Sequence, residues 1–241
     1  VAPARKSEVG RSCRIFKILQ MTKHATGFDY VPDGGAARVI GKGELLFAAA
    51  GLEHGHIFAQ TQGLENAGAE CKWVWDSDPK KVEGFLARFP HAKRAESLSQ
   101  IFDDPEIKLV ANASVPADRA DFGIECMRAG KHVFVDKPPF TTLEQLERVK
   151  KTVRETGLKY MPYYAERVHN EAAEKADEIV KSGAIGDILQ VLILAPHRLS
   201  KSSRPKWFFE RERYGGILVD IGSHQFEQFL QFTGCESAEI V

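Results

Sequence analysis

Between Leu45 and Tyr164 the chain alternates short apolar runs with amphipathic stretches, and this alternation constrains the fold more than any other feature. Leu45-Leu46-Phe47-Ala48-Ala49-Ala50 is an apolar run of strand length that stops at Gly51. Helical spacing follows from Ile57 to Ala67 and ends at Gly68. Cys71-Lys72-Trp73-Val74-Trp75 reads as a second strand, stopped by Asp76-Ser77-Asp78-Pro79. Asp78 there is a helix cap and Pro79 a first helical residue, opening a helix that runs to Phe89. Ile107 to Ala113 reads as a third strand, and Ala117 to Ala129 as a helix closed by Gly130. His132-Val133-Phe134-Val135 is a fourth strand that delivers Asp136-Lys137-Pro138. Thr141 or Thr142 caps a helix from Leu143 to Glu155, and Lys159 to Tyr164 is a fifth strand.

Strands and helices joined this closely fit right-handed βαβ units. The expected fold is α/β: a Rossmann-type, doubly wound parallel sheet with helices on both faces, spanning residues 45–165. Ligands of such sheets bind at the carboxyl ends of the strands. Gly51, Asp76, Ser114 and Lys137 all fall there.

Residues 1–44 carry little pattern and are expected to form an N-terminal extension. After Glu166 the text shifts towards a partial α+β domain over 166–241. It offers a helix from Asn170 to Ser182, a strand from Ile188 to Leu194, a loop rich in Ser, Arg and Pro, and helical spacing from Ile217 to Leu230. Arg198, Arg204, Lys206 and Trp207 in that loop could contact a substrate, but read better as surface charge around one packed indole.

Charge narrows the function classes. Thirty-three basic residues balance 33 acidic ones, which argues against a nucleic-acid or anionic-membrane partner. No apolar run has the length of a membrane span, and Val1 to Gly10 lacks the charged head and apolar stretch of a secretory signal. The four cysteines stand singly, without a CxxC pair, as expected of reduced thiols in a cytoplasmic protein; Cys71 and Cys126 sit in core patterns.

A dinucleotide turn needs glycine for tight geometry and for close approach of the pyrophosphate to a helix N-terminus. The turn here, Ala49-Ala50-Gly51-Leu52-Glu53-His54-Gly55-His56, departs from GxGxxG. On its own it is an ordinary strand-to-helix connection. Its setting, with a strand before, a helix after and an acid ending the second strand, points to a cofactor held by Gly51, Gly55, His56, the Ser114-Val115-Pro116 turn and Asp76. A carboxylate at Asp76 accepts from ribose hydroxyls and repels a 2′-phosphate, so NAD is expected over NADP, with Lys80 and Lys81 able to soften the preference. Asp136 and Lys137 complete the cofactor-binding set.

Pro138 restricts the backbone of Lys137. Asp220 and His224, just after Gly215-Gly216, share one helix face by their i, i+4 spacing. Lysine, aspartate and histidine together can hold a hydroxyl, remove its proton and leave its carbon ready to lose a hydride, so Lys137, Asp220 and His224 are the catalytic candidates. Asp220 either orients the imidazole or binds substrate hydroxyls, and His224 is expected to titrate near neutrality. Glu227 could support His224 or pair with a base elsewhere. Asp220, His224 and Glu227 also have metal-ligand spacing, but without HExxH or a nameable further ligand no metal is expected. His54 and His56 line the cofactor loop, while His24, His91, His132, His169 and His197 join no visible constellation.

These motifs resemble the Gfo/Idh/MocA family, the group of glucose-fructose oxidoreductase and inositol dehydrogenase. The likeness rests on Asp136-Lys137-Pro138, on the approach Ala129-Gly130-Lys131-His132-Val133, on Ser182-Gly183-Ala184-Ile185-Gly186, and on Gly215 through His224 with its Asp-x-Gly-x-His. It extends from Leu45 to Val241; the glycine loop is the departure. The resemblance implies a second domain with an open, mostly antiparallel sheet, and NAD(P)-dependent oxidation or reduction of a sugar, polyol or similar hydroxyl compound. It implies proton transfer by Lys137 or His224 and substrate binding by Asp220. Family members generally carry a longer second domain, so this chain reads as shortened there, and their large sheet implies a possible homo-oligomer through the C-terminal part. A non-catalytic NAD-binding regulator and an NAD-dependent glycosidase are the alternatives.

Overall fold

Runs of Ala, Val, Phe and Ile with small turns between them cannot bury both faces unless helices cover each side, and this dictates the layering. The computed structural model describes residues 38–239. In it β1 (Leu46–Ala50), β2 (Glu70–Trp75), β3 (Lys93–Arg94), β4 (Ile107–Asn112), β5 (His132–Asp136) and β6 (Tyr160–Tyr163) form one sheet in the order β3-β2-β1-β4-β5-β6. Every neighbouring pair is parallel. The order reverses between β1 and β4, which opens a crevice at their carboxyl ends.

Successive side chains of β1 divide between two cores. Phe47 and Ala49 pack with Ile57 of α1 (His56–Asn66) and with Val82 and Phe85 of α2 (Pro79–Arg88). Ala48 and Ala50 pack with Ile101 of α3 (Leu98–Asp103), Ile124 and Met127 of α4 (Arg119–Arg128) and Val149 of α5 (Leu143–Thr156). Cys71 and Cys126 lie in these cores. The side chain of Asp78 caps α2 and that of Thr142 caps α5. The short β3 and α3 carry too little periodicity to stand out in the sequence. Cys13 and His24 lie outside the described residues.

After β6 the regular elements are helices. They include α6 (Ala165–Val168), α7 (Glu171–Lys181), α8 (Arg211–Tyr214), α9 (Ile217–Asp220) and α10 (Gly222–Thr233). Two expectations fail here. The helix anticipated from Ile217 to Leu230 divides at Ile221 into α9 and α10. The strand anticipated at Ile188 to Leu194 does not form, and no antiparallel sheet is present among the described residues. Leu189, Leu192 and Leu194 are exposed instead. A strand exists only where a second segment satisfies its backbone groups, and none lies beside this one among the described residues. No described helix is long and apolar enough to cross a membrane.

Candidate active site

The cleft between β1 and β4 is built from small residues and backbone hydrogen bonds. Gly51 adopts φ +75°, and a Cβ there would stand 2.5 Å from Asn112 Nδ2. That amide donates to Ala50 O at 2.8 Å, and Ser114 Oγ donates to Asn112 Oδ1 at 3.0 Å. The backbone N–H of His54 donates to Ala113 O, which fixes the glycine turn against the end of β4. Gly55 is the N-cap residue of α1 and offers no side-chain cap, and the first turn of the helix carries no acid of its own.

Asp76 fastens the turn from the other side. Its Oδ2 accepts from Leu52 N–H at 2.6 Å and its Oδ1 from Asp78 N–H at 2.8 Å. Each oxygen keeps a further lone pair for a ribose hydroxyl. A dinucleotide therefore fits these residues: the crevice at the strand-order reversal, a glycine whose side chain would collide, a helix start with glycine at the N-cap and an acid after β2.

Asp136 ends β5 fully buried. Its Oδ1 lies 2.8 Å from His56 Nδ1 and accepts from the Lys137 N–H at 2.8 Å. Its Oδ2 lies 3.1 Å from His54 Nδ1 and accepts from Arg119 Nη2 at 2.9 Å. Burial opposes ionisation of Asp136, but His56, Arg119 and His54 outweigh it and hold the carboxyl well below the usual range. Burial, then the neighbouring His56, pushes the His54 imidazole down to about 4. His54, His56 and Asp136 are close enough to share a metal ion. A cation there would sit against the Arg119 guanidinium and compete for carboxylate oxygens that already accept four contacts, so the set reads as a clamp.

Arg119 was invisible in the sequence, where an arginine at a helix start reads as solvated. It is 1% exposed. Besides Asp136 it donates to Ser114 O at 2.7 Å, to Pro138 O at 3.1 Å and to Lys137 O. One guanidinium thus binds the Ser114 turn and the Asp136-Lys137-Pro138 segment together, with the Lys137–Pro138 peptide cis.

Lys137 is buried and directs Nζ to Asp220 Oδ1 at 2.8 Å and to Asp220 O at 3.2 Å. Asp220 therefore pairs with the lysine rather than orienting the imidazole. His224 is 2% exposed, and its Nε2 lies 3.8 Å from Glu166 Oε1. Burial first, and then the charge of Lys137, push its pKa down to about 3. This departs from the neutral-range expectation: the imidazole is uncharged at physiological pH. Tyr164 packs edge-on to it at 5.8 Å, and burial pushes that phenol up to about 12. Glu227 turns away to Arg167 at 2.6 Å. Arg204 stacks on Phe208 at 4.3 Å, and Arg198 and Lys206 are exposed.

Two buried polar atoms of this site, Asp220 Oδ2 and His224 Nδ1, have no hydrogen-bond partner among the described residues. Buried polar atoms are rarely left unpaired, and a hydroxyl, which both donates and accepts, has the chemistry to pair with either.

A family profile described as "Oxidoreductase family, NAD-binding Rossmann fold" matches residues 38–164, and one described as "GFO/IDH/MocA C-terminal domain" matches residues 173–241. The scyllo-inositol 2-dehydrogenase (NADP(+)) IolW of Bacillus subtilis is 29% identical over 161 residues, covering 66% of this chain and 44% of that protein. The levoglucosan dehydrogenase of Pseudarthrobacter phenanthrenivorans is 26% identical over 170 residues, covering 69% of this chain and 43% of that one. A crystal structure of a candidate oxidoreductase from Erwinia carotovora atroseptica is 45% identical with a TM-score of 0.76, covering 79% of this chain and 57% of that one. The chain spans about half the length of the relatives it matches.

Proposed function

We propose a sugar or polyol oxidoreductase activity for this chain, on the premise that it belongs to the GFO/IDH/MocA oxidoreductase family. The observation that carries the reading is the Lys137–Asp220 pair beside two unpartnered buried atoms, Asp220 Oδ2 and His224 Nδ1. Inositol and anhydrosugar dehydrogenases among the relatives support a polyhydroxylated substrate. Residues 45–165 hold the cofactor and 166–241 form the substrate side. Cytoplasmic location and self-association through the C-terminal part belong to the same proposal.

NAD supplies the hydride acceptor. Gly51, Gly55, Ser114 and Pro116 line its path, and Asp76 takes the ribose hydroxyls, which favours NAD over NADP. His56 and Asp136 hold the glycine turn against the lysine strand. Lys137 donates to the substrate oxygen and stabilises the charge that develops as the carbon is oxidised. Asp220, held by Lys137 through Oδ1, accepts a substrate hydroxyl at Oδ2. His224 Nδ1 accepts the hydroxyl proton.

The test has two parts. NADH and NADPH are titrated by nicotinamide fluorescence, and NAD+ is then supplied with inositols, anhydrosugars and pentoses while NADH formation is followed. Lys137→Met is expected to lower turnover about 10²–10⁴-fold, the range of one acid–base group, with NADH affinity within a few-fold of wild type. Loss of cofactor binding along with turnover would reject the assigned role.

A further inference from the structure

We propose that Glu166 and His197 form a proton relay that connects His224 to solvent, a role that rests on the oxidoreductase reading above. Oxidation of an alcohol breaks its C–H and O–H bonds. The hydride leaves with the cofactor, a carbonyl forms, and one proton remains in the site. Asp136, Lys137, Asp220 and His224 are all buried, so that proton needs a route out.

The geometry supplies one. Glu166 Oε1 faces both imidazoles, 2.8 Å from His197 Nε2 and 3.8 Å from His224 Nε2. The side chains grow more exposed along this line, at 3% for His224, 18% for Glu166 and 31% for His197. His197 Nδ1 lies 3.2 Å from Ala195 O, a contact that requires Nδ1–H. Nε2 then faces the carboxylate, and a 2.8 Å contact there requires a shared proton. At the inner end, His224 Nδ1 is buried without a partner among the described residues. An imidazole with Nε2–H towards Glu166 presents its lone pair at the unpartnered Nδ1.

The transfer closes without an imidazolium inside the site. His224 takes the hydroxyl proton at Nδ1 as Nε2–H passes to Glu166; His197 then takes fully at Nε2 the proton it shared with Glu166 and gives up its Nδ1–H, which leaves Ala195 O for water. The depressed basicity of His224 is then no obstacle, because no charge accumulates on it. A side-chain shift of about 1 Å brings the 3.8 Å gap to hydrogen-bond length. Other groups facing His224 are Lys137, His56, Asp136 and Tyr164. Arg167, beside Glu166 in sequence, is held by Glu227 and Glu174. Glu166 and His197 are positioning residues that act through His224. Neither stands out in the sequence, since a lone acid or histidine in a polar stretch carries no spacing signal.

The relay is tested by ¹⁵N-histidine NMR pH titration of wild type and Glu166→Gln, with Glu166→Asp used if the first does not fold. Loss of the carboxylate is expected to change the Nε2 signals of both His197 and His224. Titrations identical to wild type overturn the proposal. With NAD+ and scyllo-inositol or levoglucosan, His197→Gln is expected to lower kcat about 10- to 100-fold at unchanged KM, with recovery on adding imidazole. Unchanged kcat in dilute buffer also overturns it. If wild type oxidises neither compound, the substrate reading fails for both, while the titration still decides the relay.

Discussion

Asp136→Asn is the most searching perturbation of this architecture because it changes charge without changing shape. The carboxylate accepts four contacts, two at Oδ1 from His56 and the Lys137 amide and two at Oδ2 from His54 and Arg119. Asparagine keeps one acceptor oxygen and turns an NH₂ towards groups that are themselves donors. Whichever way the amide is placed, one side of the clamp opens. Placed against Arg119, it leaves a guanidinium that is 1% exposed without its counter-charge. Breaking a buried ion pair by removing one partner costs about 3–5 kcal/mol. At a urea dependence of about 2 kcal/mol per molar, a loss of about 4 kcal/mol lowers the denaturation midpoint by about 2 M. Because the folded pKa of Asp136 is depressed, its contribution is fully present above the unfolded carboxylate value and is lost only as pH falls through the folded one. The difference between variant and wild type is therefore expected to stay constant from pH 8 to about pH 5. Urea titrations at several pH values, with Arg119→Met and the double variant, complete the cycle. The double variant is expected to lose less than the sum of the singles, since it leaves no unpaired charge. A midpoint shift below about 0.5 M, or strict additivity, would refute the clamp.

Acid sensitivity follows from the two neutral histidines. His54 and His224 are held to about 4 and about 3, so between those values and about 6.5 the unfolded chain binds protons that the folded chain refuses. Stability is then full above about pH 6.5 and falls as pH drops, by at most about 2.7 kcal/mol per pH unit for two protons. His224→Gln is expected to halve that slope in urea titrations between pH 6.5 and 5, and a slope unchanged by the substitution would refute it. At Gly51, alanine meets a left-handed backbone and the amide of Asn112 at 2.5 Å. Gly51→Ala is expected to lose about 2–4 kcal/mol of stability and most NADH affinity; wild-type values in both the urea and the fluorescence titration would reject the tight-turn reading.

Sequence by itself determined the layered sheet. The alternating apolar runs, the Asp78 and Thr142 caps and the closing glycines are local signals, and local signals are what a chain displays directly. It also placed Asp76, Lys137, Asp220 and His224 as candidates, because strand ends and helical spacing fix where such residues emerge. What it left undecided is pairing between distant segments. Arg119 became a buried strut only when β5 brought Asp136 beneath it. His54 and His56 gained a carboxylate from a strand far along the chain. Ile188 to Leu194 has the composition of a strand, yet finds no partner among the described residues, because a strand is a property of two segments rather than one. Asp220 went to Lys137 and not to His224, and the protonation of His224 was set by burial and a neighbouring charge. Chain-local preferences are encoded residue by residue, but burial and charge proximity are decided only when the fold has closed around them.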